Sequence, residues 1–309
     1  MSTLIALTEA AVLAKVSPQT LRNYIRNGRL QTVERTPTGR FLVSREEVLG
    51  VVRPVRQPRI LVVANQKGGV GKTTTVQELG VLLGRDLRTL LIDVDPQANL
   101  TKLFGIDREE PGALSIAEVM MRRKPLRDVW VKIEPPANLW LVPSCLALGL
   151  VPMHLGQQFG ADFILRDAVN KVRQDFDFII IDTPPSLDRL TLNALGCANE
   201  VLIPIDKGPL GIRGTENMET ILEQVRNYNS DLRAVRVLHT KSDNTLASTT
   251  THDLLERRFG PNLLRTSIRA GTKVAEAAYQ AKALQHTFPD SHPARDYQEL
   301  AKEVLSSGA

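Results

Sequence analysis

Short apolar runs alternate along the chain with segments whose apolar positions recur every three or four residues. The runs are Ile60-Leu61-Val62-Val63-Ala64, Thr89-Leu90-Leu91-Ile92, Leu139-Trp140-Leu141-Val142-Pro143-Ser144, residues 176–181, residues 200–205 and residues 235–239. Their length and their content of Val, Ile and Leu predict strands buried on both faces. Between them, residues 76–83, 112–121, 163–172, 213–225 and 248–259 carry helical spacing. Strand–helix alternation of this kind predicts an α/β fold, a doubly wound and mostly parallel sheet with helices on both sides.

The first sixty residues follow another pattern. Thr8-Glu9-Ala10-Ala11-Val12-Leu13-Ala14 reads as a short helix capped by Thr8. A turn at Val16-Ser17-Pro18 then leads to a second helix, with Ser17 as N-cap and Gly28 as its stop. Leu21 and Ile25, four apart, mark the packed face. Gln19, Thr20, Arg22, Asn23 and Arg26 point elsewhere and are the residue types that read base edges and phosphates. Residues 30–33, the turn Thr36-Pro37-Thr38-Gly39 and residues 40–43 predict a hairpin, or wing, with Arg35 and Arg40 flanking its tip. Ser44-Arg45-Glu46-Glu47 is a capping box for a third helix. The layout resembles a MerR-like winged helix-turn-helix. Arg53-Pro54-Val55-Arg56-Gln57-Pro58 reads as a stiff linker, so the expected domains are 1–52, a linker at 53–58, and 59–309.

Charge supports that division. Residues 1–59 hold ten Lys/Arg against four acids, a net +6 of the chain's +5, so the remainder is about −1. A basic appendage on a nearly neutral body points to a polyanion, DNA before membrane. No apolar run approaches the ~18 residues that a membrane helix needs, so the expected location is cytoplasmic, in association with the nucleoid. Cys145 and Cys197 lack paired spacing and read as buried structural thiols. His154 stands alone and reads as a non-ligand.

Candidate chemistry centres on Asn65-Gln66-Lys67-Gly68-Gly69-Val70-Gly71-Lys72-Thr73-Thr74-Thr75, which lies between a strand and a helix. Glycines let backbone N–H groups curl around an anion, the helix start adds its dipole, Lys72 adds charge, and the Thr73 hydroxyl can ligate Mg²⁺. The segment 67–74 is therefore a phosphate loop for a nucleoside triphosphate. Lys67, ahead of the glycine pair, departs from the general pattern. This Lys-Gly-Gly-Val-Gly-Lys-Thr form resembles the deviant Walker A loop of the ParA/MinD/nitrogenase-iron-protein ATPases. That resemblance implies an ATP-sandwich homodimer in which Lys67 reaches the partner's phosphates.

Two further segments extend the resemblance. Asp93-Val94-Asp95-Pro96 follows a strand and is similar to switch I of ParA-type ATPases, which implies that Asp95 positions the attacking water and Asp93 lies near Mg²⁺. Residues 176–181 lead into Asp182-Thr183-Pro184-Pro185, a Walker B strand with its metal-side carboxylate at Asp182, similar to switch II. The similarity spans residues 59 to about 304. It implies a partition ATPase that binds DNA without sequence preference in its ATP state and answers to a ParB-like partner. Candidate DNA contacts on the body are Lys241, Arg257, Arg258, Arg265, Arg269 and Lys273. The family's Ile-Pro-Arg is here Ile268-Arg269-Ala270, without the proline, although the Glu-Ala that follows is kept at Glu276-Ala277. The family also implies ATP rather than GTP, and no guanine-reading Asn-Lys-x-Asp occurs.

Three other classes compete. A membrane-cycling ATPase needs a basic amphipathic C-terminus, and residues 299–307 are short and mixed in charge. An electron carrier needs paired cluster cysteines. An ATP-gated transcriptional regulator without a partition role fits the same motifs and stays as the alternative.

Overall fold

In a computed structural model of the chain, the described residues are 4–14, 18–26, 30, 33–45, 47–48, 58–108, 113–155, 160–207 and 215–307. The chain divides into two units, Met1–Gln57 and Pro58–Ala309. Most of the expected linker, together with Ser17, Gly28, Gln31, Thr32, Glu46, Leu49, Gly112 and Arg213, lies outside the described residues.

In the first unit, β1 (Leu4–Ala6) runs directly into α1 (Leu7–Leu13), followed by α2 (Pro18–Arg26), β2 (Val33–Arg35) and β3 (Phe41–Ser44). Thr8 is therefore not a cap. The N-cap is Ala6, with no side-chain bond, because the helix starts two residues earlier and buries Leu7. β3 is the central strand of an antiparallel sheet ordered β1-β3-β2, with Ile5 opposite Val43 and Arg35 opposite Phe41. The β1 strand has no counterpart in the sequence reading, because three residues are too few for a periodic signal. The wing's turn is closed by Gly39 at φ 79° and by Arg40 N–H donating to Thr36 Oγ1 at 3.1 Å. Leu21, Leu30, Val43 and Val48 form the core, with Ile25 packed against it. Leu30 belongs to that core but precedes the strand. The Glu47 N–H donates to Ser44 Oγ at 3.3 Å, one half of the expected capping box.

The second unit is a sheet of eight strands ordered β11-β10-β9-β4-β8-β5-β7-β6. Its strands are β4 (Arg59–Val63), β5 (Thr89–Asp93), β6 (Val131–Ile133), β7 (Leu139–Val142), β8 (Phe178–Asp182), β9 (Glu200–Asp206), β10 (Ala234–Ser242) and β11 (Ile268–Arg269). All neighbours are parallel except β6, which is antiparallel to β7 and closes one edge. Alternate residues feed two cores. Ile60, Val62, Ile179 and Ile181 face one side, and Leu61, Val63, Phe178 and Ile180 face the other. This two-sided demand is why the strands read as continuous apolar runs.

The helices are α3 (Lys72–Leu83), α4 (Asn99–Leu103), α5 (Ile116–Met120), α6 (Val151–Leu155), α7 (Ile164–Asn170), α8 (Arg189–Leu195), α9 (Thr215–Tyr228), α10 (Leu246–Phe259), α11 (Thr272–Tyr279), α12 (Leu284–Thr287) and α13 (His292–Ser306). α3 has Leu79 on the second core together with Leu300 and Val304 of α13. α5 and α7 lie on the opposite side, with Ile116, Met120, Ile164 and Leu165 in the first core. α5 is shorter than its predicted span because Ser115 caps it: its side chain accepts from Ala117 N–H while Glu118 reaches back to Ser115.

Candidate nucleotide site

Parallel register assembles the site. Val63 and Asp93 each stand opposite Asp182 on flanking strands, so the C-terminal ends of β4, β8 and β5 present the phosphate loop and two carboxylates side by side. This is the crevice where an open α/β sheet binds ligands. The loop turns through Gly69 at φ 73° and Gly71 at φ 93°, and Gly71 serves as the N-cap of α3. No heavy atom lies within 4 Å of where a Cβ would stand on Gly68, Gly69 or Gly71, so their backbone faces open space. Side chains from elsewhere hold the loop in shape. Asn65 donates to Pro204 O at 2.7 Å and accepts from Lys67 N–H at 3.0 Å, while Thr240 Oγ1 donates to Val70 O at 2.8 Å.

Lys72 is buried, and its Nζ lies 3.3 Å from Lys67 O. Burial lowers its pKa, opposed by the charges of Asp182 and Asp95. Asp182 is fully buried, and burial together with Asp93 raises its pKa well above the usual carboxylate range, with Thr73 and Lys72 acting against this. Among the described residues neither Asp182 oxygen has a hydrogen-bond partner within bonding geometry, so the nearby Thr73 hydroxyl offsets its charge without satisfying it. A buried carboxylate left unpaired is costly unless a cation takes its place at the oxygens. The arrangement fits Mg²⁺, which uses one or two carboxylates, a hydroxyl and substrate phosphates rather than a full protein cage. Among the described residues no three His, Cys, Asp or Glu form a self-sufficient metal site.

Asp93 is different from Asp182. Its Oδ2 accepts from Thr101 N–H at 2.9 Å and Thr101 Oγ1 at 2.7 Å, and its Oδ1 accepts from Asp95 N–H at 3.1 Å. Burial nevertheless raises its pKa to about 6. The carboxylate thus fastens the start of α4 to β5 while standing opposite Asp182 on the neighbouring strand. Asp95 accepts from Gln97 N–H at 2.9 Å through one oxygen, next to the left-handed Ala98 at φ 53° that starts α4. Lys67 extends away from its own loop and pairs with Asp206 at 2.6 Å. Thr73 and Thr74 open α3, as the motif requires.

The other predicted site residues divide into groups. Lys241 is exposed with φ 53°, and Arg257, Arg258 and Arg265 are exposed; Arg258 lies over the Phe259 ring. Lys273 pairs with Glu276 at 2.6 Å. Arg269 is held by Asp296 through both Nε and Nη2, so its charge is neutralised within the fold. Its side chain is nonetheless as exposed as that of Lys273. In the N-terminal unit Gln19, Arg22, Arg26, Arg35 and Arg40 are exposed, and Arg35 covers the Phe41 ring at 4.7 Å. The side chains of Thr20 and Asn23 lie outside the described residues. Thr101, Asp206 and Thr240 have no place in the sequence reading, and Asn65 stands there without a role, since their partners lie far along the chain or at an irregular turn.

The fold and site define a P-loop nucleoside triphosphatase. Residues 58–234 match the AAA domain family. The chain is 32% identical over 253 residues to the sporulation initiation inhibitor protein Soj of Bacillus subtilis, covering 81% of this chain and 99% of that protein. It is 34% identical over 254 residues to the chromosome partitioning protein ParA of Caulobacter vibrioides, covering 80% and 94%. Among solved structures, a Mycobacterium smegmatis protein described as cobyrinic acid a,c-diamide synthase, with bound ATP analog and magnesium, superposes with a TM-score of 0.70 at 31% identity, covering 82% and 97%. A Borrelia burgdorferi plasmid partition protein bound to AMPPNP shares the fold, with a TM-score of 0.70 at 23% identity and coverage of 81% and 99%. The chain belongs to the ParA/Soj family of partition ATPases. Among the described residues, no helix is long and apolar enough to cross a membrane.

Proposed function

We propose that the protein segregates DNA through an ATP-dependent cycle of dimer assembly. ATP joins two chains, the dimer holds DNA without sequence preference, and a ParB-like partner stimulates hydrolysis and releases it. The observation that carries this reading is the buried, unpaired Asp182 carboxylate beside Lys72 and Thr73 at the mouth of an open glycine loop. Mg²⁺ held by Asp182 and Thr73 would supply charge neutralisation on the phosphates. Lys72 binds the phosphates in cis, and Lys67 leaves Asp206 to bind those of the partner. Asp95 orients the attacking water with the carboxylate oxygen that the Gln97 N–H leaves available. Lys241, Arg257, Arg258, Arg265 and Lys273 neutralise DNA phosphates, since a surface pair such as Lys273–Glu276 yields readily to a polyanion.

The first unit acts as the winged helix-turn-helix. Gln19, Arg22 and Arg26, with Thr20 and Asn23 of the same helix, read a specific site, while Arg35 and Arg40 of the wing hold the backbone; autorepression of the protein's own operon follows. The alternative is an ATP-gated transcriptional regulator. Binding to random duplex DNA with ATP, ADP or no nucleotide separates the two, using the full chain, Lys67→Ala and a chain beginning at Arg59. ATP-dependent binding by the shortened chain, abolished by Lys67→Ala, supports the partition cycle. Loss of all DNA binding when residues 1–58 are removed favours the regulator.

A further inference from the structure

A second charged surface lies on the side of the sheet opposite α3. Here α5, the short turn Leu126–Asp128 and α7 enclose an open groove of about 460 Å³. Its floor is apolar, with Val119, Leu126, Ile164 and Val172 buried beneath it. Its rim carries Arg122, Arg123, Lys124 and Lys171, all exposed. Among the described residues these four side chains have no ion-pair or hydrogen-bond partner, whereas the neighbouring Arg127 is engaged by Asp175 at 2.7 Å. Asp167 is the one acid among the lining residues.

The backbone gives Arg122 a second distinction. Arg122 N–H donates to Val119 O at 2.9 Å and Arg123 N–H to Glu118 O at 2.8 Å, the paired bonds that end a helix through a left-handed residue. Arg122 occupies that left-handed place at φ 56°, where glycine is accommodated at lower cost. The chain thus accepts backbone strain at the position that sets an arginine on the rim. Strain of this kind points to function when the residue bearing it has no structural partner.

We propose that the groove is the docking site for an acidic amphipathic peptide segment of another protein, with carboxylates on the four rim cations and apolar side chains on the floor. A duplex is a poor match, because its convex phosphate surface leaves a recessed apolar floor unfilled. A lipid surface is likewise a poor match, since it would need the apolar groups to protrude. The site does not depend on the partition reading. The turn Leu126–Asp128 on the groove leads into β6 at one edge of the sheet, whereas the basic residues of α10 follow β10, six strand positions from β6. The two surfaces are therefore able to bind separate partners.

The test is fluorescence anisotropy of a labelled peptide, Glu-Leu-Glu-Glu-Leu-Phe-Glu-Glu, titrated with full-length protein, against a glutamate-only peptide of equal charge. The apolar-bearing peptide binds about tenfold more tightly, equivalent to ~1.4 kcal/mol. Lys171→Glu and Arg122→Gly each weaken it several-fold, with basal ATP hydrolysis unchanged. Arg122→Gly also keeps or raises the melting temperature, because glycine favours that φ, so its loss of binding cannot come from unfolding. Equal affinity for the glutamate-only peptide, or wild-type binding by both variants, overturns the proposal. So does displacement of the peptide by random duplex DNA whose own binding falls in the same two variants, which assigns the surface to nucleic acid.

Discussion

Asp206→Asn isolates the resting place of Lys67. The ion pair at 2.6 Å holds the lysine against its own chain, with side chains 33% and 17% exposed. A pair at that level of exposure is worth about 1 kcal/mol. If Lys67 must leave Asp206 before reaching its partner's phosphates, each dimer breaks two such pairs. Removing them favours assembly by about 2 kcal/mol, roughly 30-fold in the dimerisation constant. Sedimentation velocity with a non-hydrolysable ATP analogue, at protein concentrations spanning the wild-type midpoint, measures this directly. Asp206→Asn dimerises more tightly, Lys67→Ala does not dimerise, and the double variant behaves as Lys67→Ala. An unchanged midpoint in Asp206→Asn, or weaker assembly, refutes the view that Asp206 competes with the partner for Lys67.

Other consequences follow from the buried polar groups. Asp182→Asn abolishes Mg²⁺-dependent hydrolysis yet raises the melting temperature without nucleotide, because it removes a buried charge that no neighbour satisfies; a lower melting temperature counts against this account. Thr101→Val removes the hydroxyl that donates to Asp93 and accepts from Ser144 N–H, costing about 1–3 kcal/mol in urea unfolding and slowing hydrolysis. Glu78, on α3, accepts from Leu284 N–H at 2.7 Å while burial raises its pKa to about 7. The folded state then holds a proton that the unfolded state has lost, so this contribution to stability is present below about pH 4.5 and is lost as pH rises through about 7. Glu78→Gln, compared with wild type by urea unfolding, gains about 2 to 3 kcal/mol relative stability between pH 5 and pH 8. A constant difference across that range refutes the assignment.

Legibility in the sequence follows the range of each interaction. The phosphate loop, the Asp182 strand and five helices of the second unit declare themselves because glycine geometry and apolar periodicity are local. The sheet's edges do not: β6 and β11 have three and two residues, below any period. Asp93 shows how much of a carboxylate's surroundings lies outside its motif. The motif gives its place two residues before Asp95, whereas the donors that hold it come from Thr101, eight positions on. Asp206 is 139 residues from Lys67, and the β4–β9 pairing brings their segments together. The Arg269–Asp296 pair hides in the same way, across 27 residues.

Asn65, Pro204, Thr240 and Val70 give the phosphate loop its shape before any nucleotide arrives. A loop ordered only on binding would lose about 1–2 kcal/mol of backbone entropy for each residue fixed, and affinity would fall accordingly. Here that cost is met when the chain folds. The free energy of phosphate contact is then left for other work, and in the proposed cycle that work is fastening two chains together.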